Sequence, residues 1–270
     1  DIKCFLGEKH VKAILISGIG LREQFIHYFG YGFEEKLKEY RGMRVVPKFS
    51  IKDKNSLFLN HEANFLCISA DYKVKAIEIL IIAWQSLTNR TKLTIVCDFL
   101  PENLLELIEL DTSINFIKAA PLDKRLKQKL LKNSSISILL THIDGGATLN
   151  EGLGYGHALI INECNKERQY IANNNGFIIP FKNKFYEPGR YGVEWNSQEE
   201  YLKIVDNDFK KGEYNSSIIE LSRAFTMLID DPKILRDMRI KSLELAHYES
   251  VSESNKDLKN IFKDIVKNKS

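Results

Sequence analysis

From residue 64 onward, short runs of apolar and β-branched residues alternate with longer stretches whose apolar positions recur every three or four residues. That alternation is the signature of strand-helix-strand crossovers, and it predicts an α/β fold built on a parallel sheet. The predicted strands are 64–69, 92–97, 114–117, 137–141, 158–162 and 177–180. Several are near-continuous apolar runs, as strands buried on both faces require. Between them, 74–87 places Ile77, Leu80, Ile81 and Trp84 on one helical face, and 122–132 sets Leu126, Leu130 and Leu131 against lysines and arginines.

Beyond Pro180 the pattern changes to a polar, aromatic loop, KNKFYEPGRYGVEW, followed by helical periodicity at 197–206, 215–230, 232–248 and 253–267. Asp231-Pro232 reads as an N-cap with proline at the first helical position. The first 60 residues contain a predicted strand, VKAILISG, a helical pair over 21–40 and a further strand, RVVPKF, before the polar linker SIKDKNS. So few strands cannot build a second doubly wound sheet, so residues 1–42 are expected to be the tail of another domain and 43–270 the main one.

Composition narrows the function classes. With 39 basic and 36 acidic side chains the chain carries a net charge of +3, too balanced a field to imply nucleic acid as a partner. Cys4, Cys67, Cys97 and Cys164 lie far apart, and Cys67 and Cys97 sit in apolar runs, which argues against a metal site. The longest apolar stretch, 77–84, is interrupted by Glu78 and too short to span a bilayer, so the expectation is a soluble, cytoplasmic protein. The chain opens on Asp1 with neither an initiator methionine nor a secretory signal, as though cut from something longer.

The chemistry is concentrated in SISILLTHIDGGATLNEGLGYGHALIIN, residues 135–162, where a buried strand runs into a small-residue loop and then a short helix ending at Gly156. Gly145 and Gly146 let the backbone approach a ligand, and the helix start that follows offers unpaired N–H groups and partial positive charge, which suits a diphosphate. A tight strand-to-helix connection would use the same residues. Ligands of open parallel sheets bind beyond the carboxyl ends of the strands, where this loop would lie. Glu151 falls where a carboxylate could accept hydrogen bonds from two neighbouring hydroxyls such as those of a ribose; the plainer reading is a solvated helix glutamate.

These residues resemble the donor-site signature of GT-B fold glycosyltransferases, in particular the large retaining group called family 4. NFLCISADYKVKAIEILIIAWQSL resembles that family's opening strand and lysine-led helix, KLTIVCDF its next strand, and ERQYIANNNGFIIPF the segment after the signature. The resemblance runs from about residue 43 to the end, and 1–42 resembles the tail of the family's acceptor domain. It implies a Rossmann-like parallel sheet flanked by helices, the C-terminal half of a GT-B fold, with a short N-terminal α/β stub and C-terminal helices.

The family's two bracketing glutamates map unevenly. The second is matched by Glu151, which would hold the ribose, whereas the position implied for the first is Ile143, and the nearest acid is Asp144. The family's basic pair, which stabilises the departing diphosphate, is matched by Lys75, but Ala70 stands at the arginine and Ala76 at the usual glycine. Lys73 is the candidate substitute, with a solvated helix start as the alternative for both lysines. The resemblance also implies that Gly145, Gly146, Ala147 and Thr148 face the sugar and phosphates, and that Lys118 borders the base. His142 would point into the same cleft or serve as a structural hydrogen-bonder. His157 is expected to cap the helix end. Phe185, Tyr186, Tyr191 and Trp195 would stack on a sugar or pin the terminal helices to the core.

The activity implied is transfer of a sugar, with retention, from a UDP- or GDP-linked donor to a sugar or lipid-linked hydroxyl acceptor in polysaccharide biosynthesis. No Asp-x-Asp cluster occupies a plausible loop, so charge stabilisation would come from Lys75, glycine amides and a helix start, without metal or other cofactor. A lipid-linked acceptor would bring peripheral membrane contact. With the acceptor side of the cleft absent, the chain is expected to bind donor and transfer poorly. The rivals are a same-fold epimerase, a catalytically degenerate nucleotide-sugar-binding or interaction module, and a dinucleotide binder, the last disfavoured because SADYKVK replaces G-x-G-x-x-G.

Overall fold

A computed structural model describes residues 2–16, 22, 25–26, 29–39, 62–69, 71–119, 122–142, 147–163, 171, 174–181, 198–248 and 251–267. In chain order the elements are α1 (Ile2–Gly7), β1 (Ile14–Ile16), β2 (Leu37–Glu39), β3 (Asn64–Ile68), α2 (Ile77–Gln85), β4 (Lys92–Cys97), α3 (Glu102–Glu109) and β5 (Ile114–Lys118). There follow α4 (Lys124–Asn133), β6 (Ile136–Leu139), α5 (Ala147–Gly154), β7 (Ala158–Asn162), β8 (Gly176–Ile179), α6 (Gln198–Lys210), α7 (Asn215–Asp230), α8 (Pro232–Tyr248) and α9 (Val251–Lys267).

The six strands β3 to β8 form one parallel sheet in the order β5-β4-β3-β6-β7-β8. Counted from β3, this is 3-2-1-4-5-6, the doubly wound order in which successive crossovers start in one direction and then reverse. The reversal lies between β3 and β6, paired at Phe65↔Ile136 and Cys67↔Ile138. Loops leaving adjacent strands in opposite directions open a crevice at the carboxyl edge there.

Alternation along the strands sends one set of side chains to each face. Phe65, Cys67, Leu93, Ile95, Ile136, Ile138 and Ile160 pack with Trp84 of α2 and Phe225 of α7. Phe65, Trp84 and Phe225 meet edge to face with centroids 5.0 to 5.4 Å apart, a geometry that adds about 0.5–1.5 kcal/mol per pair beyond burial. The Trp84 indole N–H donates to Ser113 Oγ at 2.9 Å, so the ring is buried without an unpaired polar atom. On the other face Leu66 and Val96 pack with Leu131 of α4 and Tyr155, while Leu139, Leu159 and Ile161 pack with Leu149 and Leu153 of α5 and Ala246 of α8.

Asp231 caps α8 as expected, its Oδ1 accepting from the backbone N–H groups of Lys233 and Ile234 at 2.9 and 3.1 Å. One prediction fails near the N-terminus. The helical reading of 21–40 ends too late, because Leu37–Glu39 is a strand pairing in parallel with Ile14–Ile16. Gly30 adopts φ +79°, a 3₁₀ stretch covers Tyr31–Lys36, and Leu37 and Ile16 are both buried in the strand pair. Helix α3 is an addition to the sequence reading. The segment RVVPKF and the aromatic loop with Phe185, Tyr186, Tyr191 and Trp195 lie outside the described residues.

Candidate functional site

The first wall of the crevice is the turn leaving β3. Ser69 Oγ donates to the Asp71 carbonyl at 2.8 Å, and Asp71 Oδ1 accepts from the N–H groups of Lys73 and Val74, both at 2.9 Å. The carboxylate thus organises the turn much as an N-cap does. Ala76 then takes a left-handed conformation, φ +49° and ψ +37°, immediately before α2. Glycine adopts that geometry without steric cost, so an alanine there holds a conformation that its Cβ disfavours.

The second wall is the end of β6. Beyond Leu139 the ladder is continued by a side chain: Asn162 Oδ1 accepts from Thr141 N–H at 3.0 Å and Asn162 Nδ2 donates to Thr141 C=O at 2.7 Å. Both residues are fully buried. The two walls are tied directly. His142 N–H donates to the Val74 carbonyl at 2.8 Å, and Lys75 Nζ lies 3.4 Å from Thr141 Oγ1. The structure therefore brings Lys75 to the mouth of the segment from which α5 departs.

His142 is only 1% exposed and completes a triangle with the rings of Phe181 and Tyr214, centroids at 5.5 and 5.4 Å, those two rings being 5.6 Å apart. Burial lowers its pKa to about 4, so the imidazole is neutral at physiological pH. Lys73 forms an ion pair with Asp206 of α6 at 2.5 Å, so the substitute cation is engaged with the terminal helices rather than standing beside Lys75. Lys118 is exposed at the end of β5, opposite Cys97 of β4. Two strand spacings separate β5 from β3, about 10 Å, so Lys118 borders the crevice at a distance.

Ala147 and Thr148 begin α5, whereas Asp144, Gly145 and Gly146 lie outside the described residues. Helix α5 is held at fixed height by small residues. A Cβ at Gly152 would lie 2.4 Å from Ser137 Oγ, so only glycine lets the helix settle on β6. Gly156, at φ +66°, ends the segment, and its carbonyl accepts from the buried Arg239 Nε of α8 at 2.9 Å. His157 closes the end of α5 as expected, through its backbone: its N–H donates to the Gly152 carbonyl at 3.0 Å and the N–H of left-handed Gly156 to the Leu153 carbonyl at 2.9 Å, while the His157 ring reaches elsewhere. Its Nε2 lies 2.8 Å from the Leu131 carbonyl near the end of α4, and its Nδ1 2.8 Å from Ser137 Oγ. A carbonyl only accepts, so the proton sits on Nε2 and Nδ1 accepts from the serine.

Glu151, in the second turn of α5, forms an ion pair with Lys127 of α4 at 2.5 Å. It is neither fully solvated nor buried, its side chain being 38% exposed. Asn162, Arg239 and Lys127 were not singled out from sequence. Asn162 carries a signal in retrospect, as the one polar residue closing the apolar strand ALIIN. Among the described residues, no three His, Cys, Asp or Glu side chains converge as a metal-binding group, and no helix is long and apolar enough to cross a membrane.

No protein-family model matches the chain, and no curated protein matches it. Solved structures do. A glycosyltransferase from Rickettsia africae ESF-5 superposes with a TM-score of 0.56 at 16% identity, covering 99% of this chain and 67% of its own. WaaG, a glycosyltransferase involved in lipopolysaccharide biosynthesis, superposes with a TM-score of 0.54 at 15% identity, covering 86% of this chain and 58% of its own. Anabaena Alr3699/HepE, solved with UDP and glucose, gives 0.52 at 14% identity over 93% of this chain and 63% of its own. The chain thus has a GT-B-like α/β fold and spans between 58% and 67% of the length of these structures.

Proposed function

We propose that this chain binds the nucleoside diphosphate of a nucleotide-sugar and forms the donor side of a retaining, metal-independent glycosyltransferase. The observation that carries the reading is the joining of the two switch-point walls, which sets Lys75 at the end of β6 from which α5 and Glu151 follow. A diphosphate leaving group gains negative charge as the glycosidic bond breaks. Lys75 supplies a point charge, and the start of α5 supplies N–H groups and partial positive charge, for the phosphates. Glu151 accepts from ribose hydroxyls. None of these groups is a nucleophile toward the anomeric carbon; their part is binding and charge stabilisation. The acceptor, a sugar or a lipid-linked hydroxyl reached at a membrane surface from the cytoplasm, belongs to the same proposal.

HepE was solved with UDP and glucose, which makes UDP the first ligand to try. The test is calorimetric titration with UDP, GDP and ADP, repeated with Glu151→Ala. Saturable binding of one nucleotide, weakened at least about tenfold by the substitution, is expected, since a lost hydrogen bond to a charged group is worth about 1.5–3 kcal/mol. No binding of any of the three would overturn the reading.

One observation favours a second reading, a binding module that has lost transfer. Lys73 is committed to Asp206, so the basic pair is reduced to Lys75. Lys75→Ala separates the two once the acceptor side is supplied: a transferase then loses turnover by about 100-fold or more, whereas a binding module has no turnover to lose and changes only in affinity.

A further inference from the structure

Helix α4 meets α5 and the turn that follows it in three rungs. The deepest is the hydrogen bond from His157 Nε2 to the Leu131 carbonyl. The middle rung is apolar, Leu131 against Tyr155 in one buried cluster. The third is ionic, Lys127 Nζ to Glu151 Oε2 at 2.5 Å. Lys127 lies four residues before Leu131, and Glu151 four before Tyr155, so each ionic partner stands one turn nearer its helix start. Crossover helices run back against the strands, which puts both helix starts at the carboxyl edge of the sheet, the edge that carries Lys75.

The first turn of α4 is rigid there. Asp123 Oδ2 accepts from the N–H groups of Arg125 and Leu126 at 2.9 and 3.0 Å, and the Asp123 carbonyl accepts from Lys127 N–H at 2.9 Å. The Lys127 side chain is 26% exposed, so its stem is packed while its ammonium reaches the carboxylate. Glu151 Oε2 is sealed from solvent although the side chain as a whole is 38% exposed. The open oxygen is therefore Oε1.

We infer that Lys127 and Glu151 together form a reader of a ribose cis-diol, Lys127 being a specificity-determining residue of the nucleotide site. Glu151 Oε1 accepts from one hydroxyl. Lys127 Nζ, held against Oε2 by charge, keeps its protons for the neighbouring hydroxyl oxygen, to which it donates one. An acceptor and a donor side by side suit two adjacent hydroxyls, each of which both donates and accepts. A lone carboxylate would read them less sharply. This inference rests on the nucleotide-binding reading above.

The experiment measures the dissociation constants of whichever of UDP, GDP or ADP binds, and of its 2′-deoxy analogue, for the unaltered chain, Lys127→Met, Lys127→Arg and Glu151→Gln. The unaltered chain is expected to prefer the ribonucleotide by at least about tenfold, because a site built to bond a hydroxyl rejects the ligand lacking it. Lys127→Met keeps the stem and removes the donor, and should bring the preference below about threefold; Lys127→Arg should restore it. An unchanged preference in Lys127→Met, with Glu151→Gln abolishing it, would reduce Lys127 to a surface ion pair. Equal binding of both nucleotides by the unaltered chain would likewise overturn the inference. No nucleotide binding at all would remove the underlying reading, a result distinct from the other two.

Discussion

Ala76 holds a conformation that suits glycine, and the consequence is measurable. A left-handed φ costs an L-residue about 1–2 kcal/mol, against which Ala76→Gly loses a methyl group that is buried at 3% exposure and gains unfolded-chain entropy. The expected outcome in urea unfolding is a change between zero and a gain of about 1 kcal/mol, where an ordinary helical alanine would lose about that much. Asn162 is the opposite case, a side chain nothing else can replace. Asn162→Leu leaves the N–H and C=O of buried Thr141 without their partners, at about 1–3 kcal/mol each. Unfolding should register a loss of about 2–5 kcal/mol, and nucleotide affinity should fall with it, because Thr141 is the contact of Lys75. A loss under about 1 kcal/mol would mean that water replaces the amide at no cost.

At the scale of elements, α5 is set by contacts on opposite sides. Gly152 rests on Ser137 of β6, while Arg239 and Leu243 of α8 hold Gly156. Gly152→Ala puts a methyl carbon into the serine hydroxyl and disturbs its bond to His157, so a destabilisation of about 1–3 kcal/mol is expected. Adding Ser137→Gly should recover part of it, and a double-mutant cycle checks the coupling. Elements with strong periodicity were legible in the sequence. All six strands of the large sheet fall where the apolar runs place them, and α7 and α8 have their predicted bounds. Two departures have physical reasons. Helix α3 is only eight residues long and buries just Leu104 and Ile108, too short a stripe to repeat. Strand β2 is three residues whose state is decided by pairing with Ile14–Ile16, a contact local periodicity does not contain.

At the scale of the whole molecule, the order β5-β4-β3-β6-β7-β8 came only with the structure, since every apolar strand could in principle neighbour any other. Lys75 and Glu151 stand out in the sequence as candidates because each sits in a local motif. Their partners Thr141 and Lys127 do not, because residue type alone cannot distinguish a solvated side chain from one that crosses to another element. The same applies to His142 and His157, whose burial is a property of the assembled core and governs its response to acid. Burial lowers His142 to about 4; burial chiefly, with Arg239 adding, lowers His157 to about 3 against the opposing bond to Leu131. Both values lie below the unfolded value near 6.5. The unfolded chain therefore binds extra protons first, and stability is lost as pH falls through about 6.5 toward 4 and 3, by about 1.4 kcal/mol per pH unit for each histidine. Between pH 7 and pH 5 each contributes a loss of about 2 kcal/mol. His142→Phe keeps an aromatic ring packed against Phe181 and Tyr214 and removes one titrating group. Urea unfolding of the unaltered chain and of this variant at both pH values should show the loss smaller by about 2 kcal/mol in the variant. Equal losses would mean that His142 is reached by solvent and protonated without unfolding, and that the aromatic cluster behind the crevice opens in the native state.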